Sequence, residues 1–135
     1  LAKTADLVIV YGSKIAIELA AIGKNVIVCG EAWARGKGFT YDIESRSDYE
    51  TKVRHLLACD SQLDEVMLAK ARSYAHWFFF RKMIPIEVVE STGRKSDPFV
   101  RKENIDLCYI EQAVGFQTVV RGIINKEPLE LDNNL

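Results

Sequence analysis

Apolar residues run without a break through the stretch Asp6–Tyr11 (DLVIVY), which polar and turn residues bound on both sides. Such a run predicts a strand covered on both faces, as in a parallel sheet. Gly12-Ser13 interrupts it, and from Lys14 to Ile22 the spacing becomes helical. Ile15, Leu19 and Ile22 share one stripe, while Ala16, Ala20 and Ala21 permit close packing. Gly23 supplies a C-terminal stop, and a second apolar run, Asn25–Cys29 (NVIVC), follows directly. Strand, tight turn, helix and strand make a βαβ unit, whose crossover is expected to be right-handed.

The pattern then loosens. Gly30–Tyr41 (GEAWARGKGFTY) has three glycines and no sustained period, so it reads as a mobile loop leaving the second strand. Ser47-Asp48-Tyr49-Glu50 has the form of a capping box and predicts a helix to about Ala58. Ser61 with Asp64 repeats that logic for a longer helix with Leu63, Met67, Ala71, Tyr74 and Phe78 on one stripe. Pro85 disfavours helix at Ile84, so this helix is expected to end near Met83. Ser91–Pro98 reads as a polar turn region. Ile105, Tyr109, Ala113, Phe116 and Val120 predict one last helix, weakened by Gly115 and Gly122. The tail, Asn125–Leu135, is expected to fray. No internal repeat or low-complexity stretch is present.

Length bounds this picture. A chain of 135 residues predicts one compact domain at the usual ~100–200 residues each. Two evident strands are too few for an ordinary sheet of ~4–6. The chain also opens at Leu1 rather than Met and enters a strand almost at once. Both features lead to the expectation of an excised piece whose preceding strands are missing. Lys plus Arg number 18 against 19 for Asp plus Glu, and this balance argues against a nucleic-acid binder. A hydrophobic fraction of 48% excludes disorder of the whole chain. No run approaches the ~18 apolar residues of a membrane span. Cys29, Cys59 and Cys108 are an odd, widely spaced set that fits neither a disulfide framework nor a zinc knuckle, and a reducing, cytoplasmic compartment is expected.

Candidate chemistry centres on Gly12-Ser13 at the carboxyl end of the first strand, where ligands of open α/β sheets bind. Gly12 allows a phosphate to approach the backbone, the Ser13 hydroxyl can donate, and free amides from Lys14 to Ala16 would complete an anion site. The bland alternative is a turn and a helix cap. Glu18, one and a half helical turns on, suits the two hydroxyls of a ribose, or is only an exposed helix carboxylate. Lys14, Lys24, Arg35 and Lys37 surround the same edge, the last two beside Gly36 and Gly38 on the loop. His55 and Cys59 share a helix face, but two ligands do not make a metal site, and none is expected. His76 reads as a partly buried structural histidine. No Ser-His-Asp or Cys-His arrangement stands out. Tyr74–Lys82 (YAHWFFFRK) carries four consecutive aromatics that point all round a helix, so either another domain packs there or the segment meets a membrane interface.

The stretch Ala5–Thr40 (ADLVIVYGSKIAIELAAIGKNVIVCGEAWARGKGFT) resembles the C-terminal nucleotide-sugar domain of capsule polysaccharide biosynthesis proteins, which are glycosyltransferase-like and of the GT-B architecture. Lys70–Pro85 (KARSYAHWFFFRKMIP) is similar to an aromatic-rich helix of the same family. These stretches cover 36 and 16 of the 135 residues. The resemblance implies an α/β fold, a Rossmann-like three-layer fragment with a small parallel sheet, forming the C-terminal half of a GT-B donor-binding domain and followed by long helices. Residues 1–90 would be the partial donor-binding domain and 91–135 a helical extension and tail, with the N-terminal acceptor domain absent.

By position, Gly12 and Ser13 match the family's phosphate-binding turn, Glu18 its ribose glutamate, and Gly30–Gly38 its donor-facing loop. Donor contacts are thereby expected from Gly12, Ser13, Lys14, Glu18, Arg35, Lys37 and Gly38. Lys14 departs from the small residue many relatives carry, and Asn25 from their usual Pro. The implied ligand is a nucleotide sugar, cytidine-linked in the relatives, passed to a polysaccharide or lipid-linked acceptor without metal or cofactor. No catalytic residue is assigned, since the base would belong to the acceptor domain. The chain alone is expected to be inactive and to form a homo-oligomer through the aromatic helix. Its expected location is the cytoplasm, at the inner face of the membrane if the aromatics touch lipid. A nucleotide-sugar 2-epimerase shares the architecture, but its relatives carry an Asp-Ser-Gly-Gly turn where this chain has Tyr11-Gly12-Ser13-Lys14. A non-catalytic interaction module is the third reading.

Overall fold

In the computed structural model, which describes residues 4–59, 63–95, 99–103 and 105–132, both apolar runs form strands. They are β1 (Leu7–Val10) and β2 (Asn25–Val28), joined by the helix α1 (Ile15–Ala21). β1 and β2 pair in parallel, Leu7 opposite Asn25 and Val10 opposite Val28. A third strand, β3 (Tyr41–Asp42), pairs in parallel with the far side of β2, giving the order β1-β2-β3. The small parallel sheet is therefore present, with one strand more than the apolar runs disclose.

β2 is covered on both faces, as expected, and Val26, Ile27 and Val28 are fully buried. β1 departs from that reading: it lies at the sheet edge and Ile9 is exposed. The α1 stripe also differs. Ala16, Ile17, Leu19 and Ala20 are buried, whereas Ile15 and Ile22 face outward. Small Ala16 and Ala20 let α1 lie close to β2 and to the helix α3 (Glu65–His76).

The helix α2 (Arg46–Ala58) begins earlier than the predicted capping box. Ser45, not Ser47, is the N-cap, and its Oγ accepts from the Asp48 amide at 3.1 Å. Asp48 in turn accepts from the Glu44 amide and pairs with Lys52. For α3 the predicted cap Ser61 lies outside the described residues. Asp64 holds that end instead, its Oδ1 accepting from the Val66 and Met67 amides. Leu63 and Ala71 of the predicted stripe are buried, and Arg72 Nε donates to the Ala21 carbonyl of α1.

The chain forms two compact units, Leu1–His76 and Trp77–Leu135, so the division falls before the expected 90/91 boundary. The second unit opens with π-helical turns over Trp77–Lys82, and the helical run ends at the predicted place. Phe78 is buried and meets Phe79 edge-on at 5.2 Å, while Phe80 is 69% exposed. The expected turn region Ser91–Pro98 lies between two antiparallel strands, β4 (Val89–Ser91) and β5 (Phe99–Arg101), and its residues 96–98 lie outside the described residues. The single last helix divides into α4 (Leu107–Gln112) and α5 (Val114–Asn125) at Ala113, which is buried in an extended conformation.

The tail is folded as far as Asp132, against the expected fraying. Leu131 is buried, its amide donates to the Arg81 carbonyl at 2.9 Å, and its carbonyl accepts from the Arg81 guanidinium at 3.2 Å. Arg81 also pairs with Glu130 at 3.0 Å. Lys126, in the left-handed region at φ 59°, turns the chain out of α5. No helix among the described residues is long and apolar enough to cross a membrane.

Candidate functional site

At the carboxyl ends of β1 and β2 the two outgoing loops run side by side. The Cys29 amide donates to the Val10 carbonyl and the Gly30 amide to the Tyr11 carbonyl, both at 2.9 Å. Glycine is required at two points of this approach. A Cβ on Gly12 would stand 2.7 Å from the Glu31 carbonyl oxygen, and one on Gly30 would stand 2.8 Å from Tyr11. Backbone approach thus accounts for Gly12 without any ligand. The loops enclose a cavity of about 350 Å³ lined by Gly12, Ser13, Lys14, Glu31, Ala32 and Trp33.

Three of the expected donor-binding residues meet in this cavity. The helix-start amides are less available than the sequence implies. Ile15 donates to Ser13 Oγ at 3.3 Å, and Ala16 to the Ser13 carbonyl. Of the three amides expected to be free, that of Lys14 alone lacks an acceptor among the described residues. Ser13 therefore caps its own turn, and Glu18 projects from the exposed side of α1 without lining the cavity. Glu31, Ala32 and Trp33 were not singled out from sequence. The resemblance marks their loop, Gly30–Gly38, as donor-facing, but no motif picks out these three within it.

Beyond Trp33 the glycine-rich segment is pinned rather than mobile. Ala34 and Phe39 are fully buried. Arg35 turns inward, donating to the Ile43 carbonyl at 2.8 Å and at longer range to the Val28 and Gly30 carbonyls. The Gly36 amide donates to Asp42 at 2.6 Å, and the Tyr74 hydroxyl donates to the Trp33 carbonyl at 2.9 Å. Gly36 and Gly38 serve as left-handed turns at φ 72° and 75°. Such φ values are favourable for glycine alone among ordinary residues. Lys37 is consequently brought to a second concavity, an open groove of about 830 Å³ between this loop and α3, and Gly38 lies beneath the Lys70 side chain that lines the same groove. The structure does not bring Arg35, Lys37 and Gly38 into the cavity that holds Gly12, Ser13 and Lys14.

Electrostatic perturbations lie beside these features. Burial pushes the Tyr74 phenol above its ordinary pKa. Burial, then the nearness of Asp64 and Cys59, does the same for Tyr41. The Lys52 ammonium and the Glu44 amide hold the Asp48 carboxyl below the usual range. In the second unit the hydrogen bond to Tyr109 raises Lys102. All three cysteines are free thiols, and His76 is exposed rather than partly buried. No group of three or more metal-ligating side chains gathers among the described residues, so His55 and Cys59 remain a pair.

Fold and site together define an α/β chain with a cavity at the carboxyl ends of two parallel strands. No family model, curated protein or solved structure matches it.

Proposed function

We propose that the first unit is the donor-binding portion of a GT-B-type glycosyltransferase of capsule polysaccharide biosynthesis. The observation that carries the reading is the strand-end cavity, where Gly12, Ser13 and Lys14 share walls with Glu31 and Trp33. The parallel βαβ arrangement supports it, because ligands of such sheets lie outside the carboxyl ends of the strands. In this reading the Lys14 ammonium and amide neutralise the phosphates of a nucleotide sugar. Trp33 offers an exposed indole for the base, and Glu31 accepts from ribose hydroxyls more directly than Glu18. Transfer then depends on stabilising the leaving phosphate electrostatically, with the acceptor supplied by a domain beyond this chain.

The test is calorimetric titration of the chain with CMP and UDP, repeated on Lys14→Ala, Ser13→Ala, Glu18→Ala and Glu31→Ala. One lost charge-assisted hydrogen bond is worth about 1.5–3 kcal/mol, so Lys14→Ala and Glu31→Ala are expected to weaken binding roughly tenfold or more. Failure of both nucleotides to bind the unaltered chain sinks the reading.

A further inference from the structure

The groove beside α3 is built differently from the strand-end cavity. Its wall on the helix side comes from Val66, Ala69, Lys70 and Ser73, which recur at the spacing of one helix face. Ala69 and Ser73 are small, so the surface is hollow between longer neighbours. Tyr74, from the same helix, adds its ring, and across from the helix stand Lys37 and the buried ring of Phe39. The Lys37 ammonium lies 5.9 Å from the Tyr74 ring centroid. The Lys70 ammonium reaches over Gly38, where a Cβ would stand only 3.6 Å from Nζ.

Two cations therefore border one concavity, and neither forms an ion pair among the described residues. Glu65 lines the same groove without closing on either lysine. Like charges that share a site repel, and a bound anion removes that repulsion. Tyr74 is held in place by its hydrogen bond to the Trp33 carbonyl and by the Phe39 ring at 5.3 Å, so the apolar floor is already organised.

We propose that this groove binds a small organic anion, with the anionic oxygens between Lys37 and Lys70 and an apolar body on Val66, Ala69 and the Tyr74 ring. The site is separate from the strand-end cavity and does not rest on the donor reading. It also gives Lys37 a ligand-facing role that the donor site does not supply.

Phenyl phosphate, glucose 1-phosphate and inorganic phosphate, titrated into the full chain and followed by amide NMR shifts, test it. Phenyl phosphate is expected to bind more tightly than inorganic phosphate and to shift the amides of Gly38, Ala69 and Ser73. Glucose 1-phosphate, whose body is polar, is expected to bind more weakly than phenyl phosphate. Lys37→Ala and Lys70→Ala should each weaken binding roughly tenfold. Ala69→Phe, which fills the hollow from an exposed helix position and leaves both charges, should abolish it. Lys14→Ala should leave the titration shifts of Gly38, Ala69 and Ser73 unchanged, and that separates this site from the strand-end cavity. Three results overturn the proposal: no binding of any probe at millimolar concentration, equal affinity for inorganic and phenyl phosphate, or affinity that survives Lys70→Ala.

Discussion

Two glycines of α5 look alike in the sequence and differ in the structure. Both were read as weak points of a helix, since glycine there costs up to about 1 kcal/mol relative to alanine. At Gly115 a Cβ would stand 2.0 Å from the Pro85 carbonyl oxygen, and the Gly115 amide donates to Glu87 Oε1 at 2.6 Å. Nothing flexible separates those backbones. At Gly122 the Cβ would meet the end of the Leu129 side chain, which is half exposed and can swing aside. Gly115→Ala is expected to destabilise by about 1–3 kcal/mol through overpacking. Gly122→Ala should be near neutral, the gain in helix propensity offsetting the displaced Leu129. Thermal melts of the two variants check this, and equal melting temperatures would refute it. Sequence alone cannot separate them, because the distinction depends on a segment 30 residues away. The same holds for Arg35, which reads as a ligand cation and proves to bind the Val28 and Ile43 carbonyls that flank its loop.

The start of α2 shows how an element can be legible in kind and misplaced in register. Ser45-x-x-Asp48 and Ser47-x-x-Glu50 both satisfy the capping pattern, and the chain uses the first. The reason lies upstream. β3 and the Ile43 amide, which donates to the Val28 carbonyl, hold the chain extended up to residue 43, so the helix begins as soon as that pairing ends. A two-residue strand has no period to read, and β3 exists only because β2 offers it an edge. The Ser45 cap predicts a cost of about 1 kcal/mol for Ser45→Ala and almost none for Ser47→Ala.

Acid sensitivity follows from Asp48. Its folded-state pKa is lowered, so its contribution is present above the ordinary carboxylate pKa and is lost as pH falls through the lower folded value. Urea unfolding of the chain and of Asp48→Asn at neutral pH and near pH 3 should show the difference between them shrinking in acid. A difference that stays constant across that range would show that Asp48 does not carry the cap.

At the scale of the whole molecule, the α/β class and the parallel pair of strands could be read from two apolar runs and the glycines between them. The cavity at their carboxyl ends could be anticipated, but only half of its lining. Lys37 and Gly38 are expected there because their glycine-rich loop resembles a donor-facing one, whereas two left-handed glycines and the Arg35 clasp carry them elsewhere. Surface exposure yields a final prediction. β1 has no strand on its outer side among the described residues, and Ile9 is exposed there. Edges of this kind pair with other chains unless something covers them. The aromatic run presents a second apolar surface, but a narrower one than the sequence implied. Phe78 is buried, Trp77 and Phe79 are half-buried, and Phe80 is the most exposed of the four. Aromatic side chains bury about 150–250 Å² each and dominate contact energetics. Association through this helix must therefore centre on Phe80. The chain is expected to sediment as a dimer or larger at micromolar concentration, with Phe80→Ser shifting it to monomer and Ile9→Lys leaving it associated. If the β1 edge carries the contact instead, the two variants exchange outcomes. A chain that remains monomeric before any substitution would show that neither surface is used for self-association.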